Sequence, residues 1–140
     1  MGKINTGRVV LGGLLAGLML NVWDFLVNGV WLKAEWNAAT QALGKGMIGG
    51  GQIVWFVVYD FLIGITLVWL YAAIRPRFGA GPKTAAIAGF VMWLLIGLFH
   101  TIAEAPIGLF PHDLYVKVTI AALIGLSLAA QAGGWQYKEV

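Results

Sequence analysis

Four stretches of this sequence are apolar for long enough to cross a lipid bilayer, and almost nothing inside them is charged. A hydrocarbon core ~30 Å thick takes about 20 helical residues to cross. The stretches run from about Arg8 to Trp31, Gly51 to Ile74, Thr84 to Glu104 and Asp113 to Gly133. Composition agrees: 60% of the 140 residues are hydrophobic, 11% are charged and the mean hydropathy is +0.84. Soluble domains run at roughly 45–50% apolar and 25% charged, so these few charges cannot cover that much apolar surface in water. Membrane strands would alternate apolar and polar residues over about ten positions, and no such alternation is present. The expectation is an all-α membrane protein: one domain, residues 1–140, with four transmembrane helices in an antiparallel bundle.

The basic residues give the bundle a direction. Lys3, Arg8, Arg75, Arg77, Lys83 and Lys138 fall on one side, while Lys33, Lys45 and Lys117 fall on the other. Positive charge stays inside, which places both termini and the Arg75–Lys83 loop in the cytoplasm. Trp31, Trp69, Tyr71, Tyr115, Trp135 and Tyr137 stand near span ends, where an aromatic belt belongs. Lys3 and Arg8 before a Leu/Gly-rich run resemble a signal peptide, but the apolar run continues past Ala16 without a small-residue cleavage site. It reads as a retained first helix. Leu32, Trp36, Ala39 and Leu43 recur at helical spacing before Gly44, predicting a short amphipathic helix on the outer surface in the first outer loop. Ala105–Pro111 reads as a tight turn, with Asp113 placed to cap the fourth helix and Thr84 to cap the third.

The run Trp69-Leu-Tyr-Ala-Ala-Ile-Arg-Pro-Arg-Phe-Gly-Ala-Gly-Pro-Lys-Thr84 and the opening Gly7-Arg-Val-Val-Leu-Gly-Gly13 resemble a group of small bacterial four-helix integral membrane proteins. The similarity extends over nearly the whole chain. It implies the four-helix topology and the inner membrane of a bacterium, as a multi-pass protein. It carries over no activity and no role for any residue.

The polar residues within the spans are the informative ones. On the first helix Gly13, Gly17, Asn21, Asp24 and Asn28 keep to one stripe at helical steps, and on the third Gly89, Trp93, Gly97, His100 and Glu104 do the same. On the second, Phe56, Asp60 and Gly64 share a face beside Tyr59. At about 1.5 Å per residue, Asp24 lies roughly 10 Å and Asp60 roughly 13 Å below the outer surface. The stripes predict an intramembrane polar cluster of Asn21, Asp24, Asn28, Asp60, His100 and Glu104 in the outer half, with His112 and Asp113 at its mouth. No Lys or Arg within a span neutralises the two aspartates. A buried charge costs about 2.5–3.5 kcal/mol on insertion scales, so a carboxyl is protonated, or the site is wet, or it holds a cation.

Four uses compete for such a cluster. The plainest is a hydrogen-bonded network that holds helices together. The others are a proton or ion path, a metal site formed by Asp24, Asp60, His100 and Glu104, and ligation of a pigment or haem by His100. His-x-x-x-Glu alone specifies no metal, and a bis-His haem would need a second histidine at matching depth, whereas His112 lies in a loop.

Gly13-x-x-x-Gly17, with Gly64, Gly89 and Gly97, marks faces where helices approach closely, either within the bundle or against another protein. Arg75, Arg77 and Lys83 are placed to meet anionic lipid headgroups, though a topology signal explains them equally well. There is no cysteine, no phosphate-cradling loop and no basic patch for nucleic acid, and the only serine, Ser127, is far in sequence from either histidine. With no complete catalytic or cofactor motif, the leading expectation is not an enzyme. It is an accessory or structural transmembrane subunit, packing against a larger energy-transducing assembly, respiratory or photosynthetic, or against itself, in contact with membrane lipids. The alternative is a small proton- or ion-coupled transporter built on the acidic cluster, and a membrane metal site comes third.

Overall fold

The computed structural model describes residues 2–139, and every element among them is helical. They are α1 (Thr6–Trp31), α2 (Lys33–Ala42), α3 (Gly50–Phe78), α4 (Pro82–Ile107) and α5 (His112–Gln136). All but α2 are long and apolar enough to cross a membrane, which makes the chain a multi-pass membrane protein. The spans overlap the expected ones and are longer at most ends. Asn5 caps α1 by accepting the Arg8 N–H at 3.1 Å. α3 passes Ile74 and runs through Pro76 to Phe78, because Pro76 lies in the last turn and Gly79, at φ 85°, closes the helix onto the Arg75 carbonyl. α4 starts at Pro82, where a missing N–H costs nothing. Thr84 is therefore not its cap; the hydroxyl donates instead to the Gly79 carbonyl at 2.6 Å. Asp113 does not cap α5 either, and lies 3.5 Å from the Lys117 ammonium.

Glycine brings α1 and α3 together. A Cβ on Gly64 would fall on the Gly13 carbonyl oxygen and the Gly17 nitrogen, and one on Gly17 would lie 2.7 Å from the Phe61 Cα. No larger residue allows the two backbones this distance. The Gly13/Gly17 face thus meets a helix of its own chain. Gly12 and Gly133 repeat the device between α1 and α5, and Gly89 lies against Leu126 of α5. Ala16, Leu67, Val68, Ala88 and Ala129 fill the core beside these seams. Gly97 differs from its expected role: its missing side chain makes room for the ring of Trp93 on the same helix, whose indole N–H donates to Thr119 O on α5 at 2.8 Å.

α2 forms where expected and packs against the spans. Its apolar side closes the end of the bundle, with Leu32 and Ala39 buried against Val27, Leu114 and Ala121. Trp36 meets Phe110 edge-on at 5.3 Å, and Glu35 takes Lys117 at 3.0 Å through both oxygens.

Two spans change pitch midway. Phe25–Trp31 in α1 and Leu94–Leu98 in α4 are π-helical, each holding more residues per turn than an α-helix. The N-terminal part of α3 stands apart from the rest, since every residue from 50 to 59 is exposed.

Candidate functional site

Asp24 closes the α-helical part of α1, and Asp60 is the first buried residue of α3 after the exposed segment. The two side chains come within hydrogen-bonding reach of each other. Asp60 is 4% exposed. Both line a cavity of about 160 Å³ enclosed by all four spans. α1 contributes Leu20, Trp23, Val27 and Asn28, and α3 adds Tyr59 and Ile63. α4 and α5 supply small or apolar walls, among them Ile96, Gly97, Val118, Ala122 and Gly125. Tyr59 belongs both to the cavity and to the exposed stretch of α3, so the cavity adjoins the part of the bundle where α3 stands free.

The other members of the expected cluster are elsewhere. Asn21 donates to Gly17 O on its own helix at 2.9 Å and to Val57 O at 3.4 Å. Asn28 lines the cavity, but its amide oxygen accepts the Trp36 indole N–H at 2.9 Å. His100 and Glu104 pair with each other at 2.7 Å on α4, and the His100 side chain is 67% exposed. His112 and Asp113 line a separate outer depression with Glu35 and Phe110. Instead of one network, the polar residues form five local arrangements.

The π turn explains the miss at His100. On an unbroken α-helix, seven residues past Trp93 amount to about 700°, within about 20° of the same face. One extra residue in the turn sets everything beyond it back by about 100°. His100 then leaves the bundle face and Thr101 takes its place, with its hydroxyl 2.7 Å from that of Thr119 on α5. α1 shows the same displacement, where Leu32 rather than Trp31 is buried and donates its N–H to Val27 O.

This geometry corrects two expectations. Asp24 and Asp60 do not join His100 and Glu104 in one ligand set, and among the described residues no group of three or more His, Cys, Asp or Glu is gathered as a metal site. A pigment or haem ligated by His100 would sit on the outer surface of α4, not within the bundle. On the other side of the membrane protein, Arg75 is engaged: it lies 3.8 Å from Glu139 and 5.6 Å over the Tyr137 ring. Arg77 and Lys83 remain exposed.

Sequence reading did not single out Trp23. Its indole N–H donates to Ala121 O at 2.9 Å, and Gly125 is bare so that the ring can lie across it. The available signal was position, because Trp23 and Trp93 lie inside spans, away from the interfacial belt.

Fold and site together define a multi-pass membrane protein of four spanning helices with a paired-carboxyl cavity between them. Compared with known families, curated proteins and solved structures, the chain matches none.

Proposed function

We propose that the chain is a small proton- or ion-coupled transporter of a bacterial inner membrane. In this reading the four spans form an antiparallel bundle with both termini cytoplasmic. The observation that carries it is the Asp24–Asp60 pair, set in a cavity between the spans with no Lys or Arg among its lining residues. Two carboxyl groups lining one cavity with no cation beside them favour sharing a proton over carrying two charges, so in this reading the pair takes up and releases a proton. An ionisable group at this depth is costly unless it is used. Tyr59 belongs both to the cavity wall and to the exposed stretch of α3, which suits loading from that side.

The test is proton movement in liposomes containing the purified protein, followed with an internal pH dye while a gradient of sodium or of a small organic cation is imposed across the membrane. The expected result is flux above that of empty liposomes, falling about tenfold in Asp60→Asn, the change that one lost interaction of about 1.4 kcal/mol produces. Flux equal to that of empty liposomes overturns the reading.

A second reading, an accessory transmembrane subunit of a larger energy-transducing assembly, respiratory or photosynthetic, is favoured by a different observation. Trp55, at 73% exposure, and Phe56 stand on a stretch of α3 with no exposed side covered by the chain's own helices. Purification in mild detergent would then recover a stoichiometric membrane partner, lost when Trp55 and Phe56 are both changed to Ala. Recovery of the chain alone counts against it.

A further inference from the structure

The transporter reading leaves the cargo open, and the cavity wall narrows it. The carboxyl pair is the only charged feature of the lining: α1 brings Asp24, α3 brings Asp60 and the phenol of Tyr59, and α4 and α5 bring no titratable group. Asp60 is almost wholly buried, faces this cavity and has no hydrogen-bond partner beyond Asp24. An inorganic dication is poorly matched here. Calcium takes about 6–8 oxygens and magnesium holds its waters, whereas the wall offers two carboxyls, one phenol and an amide whose oxygen already accepts from Trp36. Zinc favours nitrogen or sulfur ligands, and the lining has neither His nor Cys.

The rest of the wall is aliphatic and aromatic: Leu20, Val27, Ile63, Ile96 and Leu126, with the rings of Trp23 and Tyr59. A cavity of ~150 Å³ holds a molecule the size of benzene, so about 160 Å³ suits a cation of similar bulk. We propose that the cavity binds a small primary alkylammonium ion, whose N–H groups are taken by Asp24 and Asp60 and whose alkyl chain lies against the apolar wall. The inference rests on the transporter reading and names its substrate class.

The charge balance fixes the coupling. A pair sharing one proton carries one negative charge. When the ammonium enters with its own protons, the pair releases the shared proton and keeps two negative charges around the single positive one. One amine in therefore means one proton out. The Trp23 and Tyr59 rings add attraction for the cation where it is shielded from water.

The experiment is calorimetric titration of the detergent-solubilised protein with n-butylammonium chloride, in two buffers of different ionisation enthalpy so that released protons are counted. Saturable binding with about one proton released per amine is expected, weakened about tenfold or more in Asp60→Asn, as for loss of a charge-assisted hydrogen bond. Ala122→Phe narrows the cavity without touching a carboxyl, so it should also block the amine. Its elution and helical content, and those of Asp60→Asn, show whether each variant is folded. Absence of saturation, equal binding by folded Asp60→Asn, or tighter binding of calcium or zinc than of the amine overturns the proposal. If liposomes show Asp60-dependent proton flux that n-butylammonium neither drives nor competes with, the substrate class fails and the transporter reading stands. Without such flux both fail.

Discussion

Among the polar bonds that tie α2 to the spans, the one to α1 has an energy that can be measured. Trp36 donates its indole N–H to Asn28 Oδ1 on α1, and its ring lies edge-on to Phe110. Trp36→Phe keeps an aromatic ring but leaves the Asn28 oxygen unpaired, a loss of about 1–3 kcal/mol for a buried polar group. The expected result is a lower melting temperature, while Trp55→Phe, on an exposed position, leaves melting unchanged. Equal melting of the two variants would show that the Asn28 bond holds nothing. At this scale the sequence spoke unevenly. Asp24 and Asp60 stood out because they are acids in apolar helices, and the structure brings them together. Asn28 stood out for the same reason, but its partner could not be read, since α2 has to fold back before Trp36 comes within reach.

Between elements, α1 and α3 are held at a distance only glycine permits. Gly64→Leu would place a branched side chain on the Gly13 carbonyl and the Gly17 backbone, so the helices must part. Overpacking a close seam costs roughly 1–3 kcal/mol and more where backbone is the obstacle. Gly51→Ala is the matched control: nothing lies within 4 Å of its Cβ, and alanine favours helix over glycine by about 1 kcal/mol. Loss of the monodisperse protein in the first and retained or improved melting in the second is the expected pair of outcomes. Comparable behaviour of the two variants would mean that the α1–α3 seam does not hold the bundle. The spans themselves were legible because hydropathy over 25 or more residues outweighs local detail. The Gly-x-x-x-Gly face was legible as a contact, and packing within the bundle was one of the two readings its spacing allowed. What escaped was the pitch of the helices. A stripe drawn at a constant 3.6 residues per turn holds only while the pitch does, so the prediction succeeded up to Gly97 and failed at His100.

For the molecule as a whole, the open question is which end faces which compartment. The charge distribution puts the Arg75–Lys83 loop inside. Gly46→Cys and Ala80→Cys, each on an exposed loop, should then react from opposite sides of intact cells with a membrane-impermeant maleimide. The expected outcome is outside labelling at position 46 alone. Labelling of position 80 from outside would reverse the bundle and turn the carboxyl cavity towards the cytoplasm.

Each π turn is also a record of one residue. An α-helix that gains a single amino acid, without lengthening what surrounds it, absorbs the surplus as a widened turn of this kind. Leu94–Leu98 therefore takes up one codon without changing which side chains face the bundle beyond it. Deleting the codon for Leu95, an exposed position, would let α4 return to regular pitch; the present Thr101 would then keep its place on the bundle face, at about 700° from Trp93, with the present His100 still turned away. A gene in which that triplet comes and goes would change the length of the span while keeping the threonine contact with Thr119.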